Sequence, residues 1–279
     1  MFKKLLKKIL NFKKEDGHKV IKILGFTIKY KEKPVNNINI EEIVERIKVN
    51  NIALKIHSEV FPKYRGIYQG RDIVIVGCGP SVKDYHLNIK GDPVYISVNR
   101  AYKIPEIKFD YIFFQDQYAE GFDELAEYRG NNCQKFQAVI TKPGCDYIIA
   151  QDATTKLNSI RYILSPIVNG PIPYDIAYEP FADLSGTVFS AMQFALYTNP
   201  RKIYLVGFDC TDTNYFTNYP SKYEYQTVIW GWMKDFAKHY YSSTEIISIN
   251  PIGIKGMFRD LYTQDFIKEH PEIKDFEVV

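Results

Sequence analysis

The stretch Asp72-Ile-Val-Ile-Val-Gly-Cys-Gly-Pro-Ser81 decides the fold of this chain. Its first half is a short apolar, β-branched run, which predicts one buried strand. Gly77 and Gly79 then let the backbone turn sharply and approach a ligand closely. Pro80 suits the first turn of a helix, and Ser81 can cap that helix or bond a phosphate oxygen. The stretch predicts an anion site, because free N–H groups and the positive end of a helix dipole meet at the turn.

The ligand-binding interpretation of this turn has an alternative. A tight turn between a strand and a helix is common in α/β proteins and needs no ligand. The dinucleotide fingerprint also requires a third glycine, and Val82 follows Ser81 where that glycine is expected. The pattern therefore favours a nucleotide-phosphate site and leaves a purely structural turn open.

Composition excludes several classes of protein. The chain has 279 residues, enough for one large α/β domain with appendages or for two small domains. A net charge of +3 is too small to indicate nucleic-acid binding. The four cysteines lack Cys-x-x-Cys spacing, which suits a reducing compartment and argues against a zinc site or a disulfide framework. With no apolar run of membrane-span length and no signal peptide, we expect a cytoplasmic protein. No Asp-x-Asp occurs in residues 72–250, so a metal–diphosphate site is not predicted, and no cofactor is expected.

The N-terminal residues 1–14 read MFKKLLKKILNFKK. Their apolar residues fall at helical spacing and lysines flank them, which is typical of a helix that lies on an anionic membrane surface. We therefore expect peripheral association with the inner membrane, and the alternative is a helix packed on its own domain or on a partner. Residues 19–31 alternate loosely around Gly25 and predict a small hairpin or an edge strand.

Pattern changes along the chain predict its domain organisation. We expect a basic amphipathic segment, a helical linker, one large domain and a C-terminal tail, over residues 1–33, 34–66, 67–260 and 261–279. Within the large domain, further strands are expected at 93–99, 110–116, 137–141, 202–209 and 245–250. Helices are expected at 119–128, 185–197 and 227–241, and the proline-rich stretch 142–182 is expected to be irregular. This alternation predicts an α/β fold with a mainly parallel, Rossmann-like sheet and helices on both faces.

Polar side chains follow several of these strands at the point where each strand ends. Asn99 follows the second strand, Gln115 and Asp116 follow the third, and Asp209 follows the fifth. The tripeptide Ser185-Gly186-Thr187 opens an apolar helix and supplies a second candidate anion site. Because ligands bind beyond the carboxyl ends of parallel strands, we expect these groups and the 77–81 turn to line one pocket.

Three segments, in this order, resemble the motifs of bacterial family-42 sialyltransferases. Ile75-Val-Gly-Cys-Gly-Pro-Ser-Val-Lys83 resembles their N-terminal signature, and Ser97-Val-Asn-Arg-Ala-Tyr102 resembles their second-strand motif. Leu184-Ser-Gly-Thr-Val-Phe189, followed by Lys202-Ile-Tyr-Leu-Val-Gly-Phe-Asp209, resembles their Ser-Gly helix and the strand after it. The same signature also resembles a domain of flagellin-modifying Maf glycosyltransferases and archaeal pterin pyrophosphokinases.

The resemblance implies a single GT-A-like glycosyltransferase domain. Such an enzyme moves a nonulosonic acid from a CMP-sugar to a surface-glycan acceptor, with inversion and without a metal. The residues that the resemblance assigns to the nucleotide are Gly77, Cys78, Gly79, Pro80, Ser81, Asn99 and Asp209, with Gln115 or Asp116 as a polar neighbour. Ser185 and Gly186, beside Thr187, would meet the sugar carboxylate. Cys78 departs from the family's asparagine, which removes one hydrogen-bonding side chain.

The resemblance also implies where catalytic residues lie. Departure of CMP develops negative charge on the phosphate, and the family stabilises it with two tyrosines, for which Tyr215 and Tyr219 are the candidates. The family's base is a histidine placed before the last helix, and this sequence has none there. His239 is one substitute, and Asp212 and Glu224 are carboxylate alternatives.

Two further functions stay open at this stage. A phosphotransferase like the pterin pyrophosphokinases would need ATP and magnesium, although the sequence offers no clear pair of acidic metal ligands. A non-catalytic nucleotide-binding module would explain the missing histidine. The aromatic helix at 227–241 contains Trp230 and Trp232, and it predicts either core packing or a contact in a homo-oligomer.

Overall fold

The computed structural model describes residues 10–15, 18–23, 26–31, 40–85, 89–115, 122–130, 132–139, 157–211, 226–274 and 276–278. The chain divides into two compact units, residues 1–44 and 45–279. No helix in the described ranges is both long and apolar enough to cross a membrane.

The N-terminal unit contains a three-stranded antiparallel sheet, in the order β1 (Leu10–Glu15), β2 (His18–Ile23) and β3 (Phe26–Lys31). The hairpin predicted over 19–31 is therefore present. The helix predicted over 1–14 is wrong for its second half, because residues 10–14 lie in β1, and residues 1–9 fall outside the described ranges. The register places Phe12, Ile21 and Ile28 in one row across the sheet, so the apolar residues follow the period of two that strands require.

The second unit is built on a nine-stranded sheet in which every neighbouring pair is parallel. This confirms the predicted α/β, Rossmann-like class. The order across the sheet is β12-β11-β10-β4-β5-β6-β7-β8-β9, with strands β4 (Asp72–Val76), β5 (Val94–Val98), β6 (Tyr111–Phe114), β7 (Gln134–Val139), β8 (Ser159–Val168), β9 (Phe181–Asp183), β10 (Lys202–Val206), β11 (Glu245–Ile249) and β12 (Arg259–Leu261).

The α-helices of the described chain are α1 (Ile40–Val60), α2 (Phe122–Glu127), α3 (Thr187–Tyr197), α4 (Gln226–Tyr240) and α5 (Gln264–Glu269). Short 3-10 turns follow α1, β4 and β5, at Pro62–Tyr64, Pro80–Asp84 and Asn99–Lys103. Every residue of α3 is buried, and the helix lies over β4, β5 and β6. An apolar helix of this kind needs protein on all sides.

The central strand β4 contributes to a hydrophobic core on each face of the sheet. Ile73 and Ile75 pack into the larger core, with residues of α3 and α4. Val74 and Val76 pack into the core on the opposite face, which the 3-10 turns and α2 help to cover. A parallel strand that is buried on both faces has a continuously apolar sequence, and this is why the run at 72–76 predicted β4 so well.

Two predictions about the edges of the sheet are wrong. Residues 159–168 form β8 rather than irregular chain, and Pro166 lies where the pairing of β8 with β9 shifts register. Proline is tolerated at such a shift because no ladder hydrogen bond is required there. The predicted tail over 261–279 begins inside β12, and Phe266 of α5 is buried, so this segment belongs to the domain.

The chain order along the sheet reverses beside β4. From β4 the strands progress outwards to β9, and α3 then brings the chain back so that β10 pairs with the other side of β4. The connection leaving β4 and the connection leaving β10 run towards opposite edges of the sheet. A crevice therefore opens between them at the carboxyl ends of these two strands.

His57 ties α1 to the sheet edge through a fully buried imidazole. Its Nδ1–H donates to the carbonyl oxygens of Ile176 (3.0 Å) and Glu179 (2.9 Å), and its Nε2 accepts the N–H of Ile163 (2.8 Å). Only the neutral ring can satisfy all three contacts, and burial lowers the pKa of His57 to about 4.

We predict that His57 makes stability sensitive to mild acid. The pKa of His57 is about 4 in the folded protein and 6.5 in the unfolded chain. The contribution of the neutral ring to the free energy of unfolding is therefore complete above pH 6.5 and is lost as the pH falls towards 4. The loss amounts to about 3 kcal/mol. Denaturant unfolding at several pH values measures it.

The variant His57→Phe keeps the ring contact with Phe61 but leaves the Ile163 N–H unpaired. It should lose about 1–3 kcal/mol at neutral pH and show a weaker acid dependence, and an unchanged dependence would contradict this account.

Candidate functional site

An open cleft of about 150 Å³ lies at the reversal point of the sheet. It is formed by the carboxyl ends of β4, β5, β6 and β10 and by the N-termini of α3 and α4. Its described lining residues are Gly77, Cys78, Gly79, Pro80, Val98, Asn99, Gln115, Ser185, Gly186, Thr187, Val188, Gly207, Phe208, Asp209, Cys210, Thr211 and Gln226. The carboxyl edge of an open parallel sheet is where ligands of α/β proteins usually bind.

Most of the residues expected at the site reach this cleft. Those in its lining are Gly77, Cys78, Gly79, Pro80, Asn99, Gln115, Ser185, Gly186, Thr187 and Asp209. Ser81 is outside the lining but bonds to Asp209. Asp116, Asp212, Tyr215, Tyr219 and Glu224 lie outside the described residues. The sequence therefore predicted which strand ends meet, and the chemical role of each residue stays a prediction.

The β4 and β10 loops approach so closely that side chains are excluded between them. Gly77 N–H donates to the Val206 carbonyl (2.7 Å), and Gly79 N–H donates to the Gly207 carbonyl (2.8 Å). A Cβ on Gly77 would lie 2.5 Å from the Gly207 oxygen, and one on Gly79 would lie 2.5 Å from an Asp209 carboxylate oxygen. Both glycines are thus required by the close approach of the β10 loop, whereas the sequence predicted a close approach to a ligand, which stays a prediction.

Asp209 is a buried carboxylate held by the glycine-rich turn. Its Oδ2 accepts the Ser81 N–H at 2.9 Å, and its Oδ1 accepts the Ser81 hydroxyl. Burial raises the pKa of Asp209 above its usual range, while the two bonds from Ser81 act in the opposite direction. Both hydrogen-bond donors of Ser81, its N–H and its hydroxyl, bond to Asp209. Ser81 therefore positions this carboxylate and does not face the cleft as a phosphate ligand.

Hydrogen bonds between loops fix the opposite wall of the cleft. The Thr187 hydroxyl at the start of α3 donates to Gln115 Oε1 at the end of β6 (3.1 Å). The Gln226 side-chain amide at the start of α4 donates to the Ser185 carbonyl at 3.4 Å. A Cβ on Gly186 would lie 2.8 Å from the same amide nitrogen. These contacts connect elements distant in sequence into one rigid rim.

Three non-glycine residues of the lining adopt the left-handed backbone region. They are Asn99 (φ 51°), Ser185 (φ 56°) and Cys210 (φ 49°). Asparagine visits this region fairly often, but serine and cysteine do so seldom. Each such residue costs about 1–3 kcal/mol, and such residues cluster at functional sites because the surrounding structure holds them there. Their convergence on one cleft supports a functional interpretation of it.

The electrostatics of the cleft are unusual for a site that binds phosphate. Asp209 is the only charged side chain among its described lining residues. Neutral groups surround it, and the side-chain oxygen of Asn99 is buried without a hydrogen-bond partner. An unpaired buried acceptor is costly, so it is expected to meet a donor when the cleft is filled.

The two thiols of the cleft are not nucleophiles at neutral pH. Burial raises the pKa of Cys78 and of Cys210 to about 12, so both stay protonated. The Cys78 thiol donates to the Val98 carbonyl at 3.4 Å. No cluster of three or more His, Cys, Asp or Glu side chains suited to a metal ion occurs in the described ranges.

His239 lies away from the cleft. It is exposed in the last turn of α4, whereas Gln226, the first residue of that helix, lines the cleft. The two positions are separated by about 20 Å along the helix. The structure therefore does not bring the predicted substitute base to the site.

Several lining residues were missed from the sequence. The sequence places Gln226 just before its helix. It gives no prediction of a role at the site for Phe208, Cys210 or Thr211, which flank Asp209. A signal for Gln226 existed, since the first residues of a helix carry free N–H groups that face the carboxyl edge of a parallel sheet. Cys210 gave none, because its positive φ depends on the tertiary contacts of its loop.

We predict opposite effects for alanine at two glycines. Gly207 has φ +71° and its Cβ would lie 3.1 Å from the Gly77 oxygen, so Gly207→Ala should destabilise the protein by at least about 1–2 kcal/mol. Gly231 is the matched control, because it lies inside α4 with no heavy atom within 4 Å of the added Cβ. Gly231→Ala should stabilise the protein by up to about 1 kcal/mol. Chemical denaturation measures both, and equal effects would refute the close approach of the two loops.

Comparison with known proteins identifies no relative of this chain. No protein-family model, curated protein or solved structure matches the chain. The resemblance to family-42 sialyltransferases consequently rests on the motif residues alone, and fold and cleft must be interpreted from their own chemistry.

Proposed function

We propose that this protein is a metal-independent glycosyltransferase that transfers a nonulosonic acid from a CMP-sugar to a glycan acceptor. The observation that carries the proposal is the convergence of the β4 turn, Asn99, the Ser185–Thr187 helix start and Asp209 on one cleft at the reversal point of a parallel sheet. This is the position at which open α/β sheets bind nucleotides. The same residues are those that resemble the sialyltransferase motifs.

The polarity of the cleft supports a nucleotide held by neutral groups. The described lining has no cation to neutralise a phosphate, and the N–H groups of Gly77, Gly79 and Ser81 already donate within the protein. Anion binding is therefore assigned to the N–H groups at the start of α3. Neutral donors aligned in advance can stabilise the charge that develops on a departing CMP phosphate. The phosphodiester of a CMP-sugar carries one negative charge and gains a second as CMP departs. The diphosphate of a UDP-sugar carries two and gains a third, so CMP demands less compensation.

Asp209 and Asn99 are suited to recognise donors on the nucleotide. A buried carboxylate held by Ser81 accepts hydrogen bonds in a fixed direction, and the Asn99 oxygen is an unpaired acceptor in the same cleft. Hydroxyl groups of a ribose and the exocyclic amine of cytosine are donors of the required kind. In this proposal the two side chains bind the nucleoside, and the helix start at Ser185–Thr187 meets the sugar carboxylate.

The departing phosphate would be stabilised by Tyr215 and Tyr219 in the segment 212–225. Thr211 and Gln226, the residues that flank this segment, both line the cleft. Phenolic hydroxyls donate a hydrogen bond and stay neutral at the working pH, as the leaving group requires. Asp212 and Glu224, in the same segment, are the remaining candidates for the base that takes the acceptor proton.

A second candidate function is nucleotide binding without transfer. The position of His239 favours it, because this predicted substitute for the family's base is exposed at the far end of α4. Such a module would bind the same nucleotide and would not turn over a CMP-sugar, whatever acceptor is supplied.

We predict that CMP stabilises the protein without magnesium and that other nucleotides do so less. At about 100 times its Kd, CMP should add ~2.7 kcal/mol to the free energy of unfolding, seen as a rise of about 5 °C in melting temperature. A thermal-shift panel of CMP, UDP, GDP and ATP, each with and without magnesium, measures this.

Variants locate the effect in the cleft. Asn99→Ala and Asp209→Asn should each abolish most of the CMP shift, because they remove an acceptor or the buried charge. Asp235→Asn changes an exposed carboxylate of α4 in the same way and should leave the shift intact. A magnesium-dependent response to ATP alone would favour a phosphotransferase. CMP binding without turnover of any CMP-sugar would favour the non-catalytic module.

A further inference from the structure

The tryptophans of α4 face opposite environments. The chain has two, and Trp230 is 0% exposed against Phe189 and Phe208, whereas Trp232 is 43% exposed. Core packing, which the sequence allowed for this helix, therefore accounts for Trp230 and leaves Trp232 unexplained. A single exposed tryptophan is unremarkable, so its surroundings decide what it means.

Trp232 belongs to a continuous apolar surface, here called the aromatic face. Tyr174, Val228 and Tyr240 of this face are each more than half exposed. The rings of Tyr174 and Tyr240 are 5.3 Å apart, and those of Phe236 and Tyr240 are 5.0 Å apart. The outer side of α4 thus carries clustered rings where a helix of a monomer usually carries charge.

The aromatic face contains both a projection and a recess. An open groove of about 380 Å³ lies between the 169–172 turn and α4, lined by Ile172, Trp232 and Phe236 among others. Trp232 stands at the edge of this groove and remains partly exposed. A surface that carries an apolar side chain beside an unfilled apolar groove is complementary to a second copy of itself.

The size of the aromatic face also fits a dimer. Aromatic side chains bury 150–250 Å² each, so the half-exposed rings with Val228 and Ile172 offer on the order of 500 Å² of apolar surface. A stable interface buries about 800 Å² on each partner, and about 65% of it is apolar in homodimers. The available area corresponds to that apolar share.

The charges beside the face argue against a lipid surface as its occupant. Lys234 and Lys238 are exposed on α4, but the acidic Asp235 lies between them and is exposed as well. Binding to an anionic membrane requires charge of one sign around the apolar centre. A mixed polar rim is instead typical of protein interfaces.

We propose that the aromatic face joins two copies of this chain into a two-fold symmetric dimer. Trp232 of each copy enters the groove lined by Ile172 and Phe236 of the other copy. The inference does not depend on the proposed glycosyltransferase activity, since it concerns the outer side of α4 and no residue of the cleft.

The test measures mass in solution with a matched pair of variants. At about 50 µM, well above the Kd of a specific interface, sedimentation velocity should give the mass of a dimer. Trp232→Glu should give a monomer, because two buried like charges would face the partner's apolar groove. Phe276→Glu is the control, since Phe276 is also 43% exposed but lies in the C-terminal segment, and it should stay dimeric.

Fluorescence separates loss of the dimer from loss of the fold. Dilution of the wild type should shift tryptophan emission to longer wavelength as Trp232 becomes hydrated, while Trp230 stays buried. In Trp232→Glu the emission of Trp230 should be that of a buried indole at every concentration. Tyr240→Glu should reproduce the monomer independently.

A monomeric wild type, or a dimer that survives both substitutions on the aromatic face, would overturn the proposal. Capture of the wild type by anionic vesicles that depends on Trp232 would assign the face to lipid and overturn it too.

Discussion

The contact between the loops that leave β4 and β10 is the constraint on which the rest of this structure depends. Gly77 and Gly79 donate to Val206 and Gly207 across a gap too narrow for a Cβ atom. This approach brings Asp209 within reach of Ser81, and it fixes the floor of the cleft. Because β4 and β10 are neighbours only where the strand order reverses, the fold and the site are consequences of one arrangement.

The sequence predicted the parts of this arrangement that are local or that follow from parallel strands. The run at 72–76 identified β4 because a strand buried on both faces is continuously apolar. The meeting of Asn99, Gln115 and Asp209 followed from the rule that carboxyl ends share one edge. The bond between Ser81 and Asp209 could not be predicted, since it joins residues 128 positions apart and depends on a distance that no local pattern encodes.

The errors arose where two patterns compete within one segment. The helical spacing of apolar residues over 2–10 predicts a helix that extends to residue 14, and antiparallel pairing of 10–14 with β2 selects the strand instead. Prolines suggested an irregular 142–182, yet Pro166 is accommodated where the β8 pairing shifts register. Pairing partners decided both outcomes. The same holds for α4, whose sequence cannot distinguish buried Trp230 from exposed Trp232 without the sheet beneath it.

The central claim is that the cleft at the ends of β4 and β10 binds a cytidine nucleotide. Backbone hydrogen exchange, followed by mass spectrometry with and without CMP, tests it most directly because it locates the ligand along the chain. The account predicts slower exchange in peptides that cover Gly77–Ser81, Ser185–Thr187 and Gly207–Thr211, with no change in α5. Unchanged exchange in those peptides, or protection confined to another part of the chain, would contradict it.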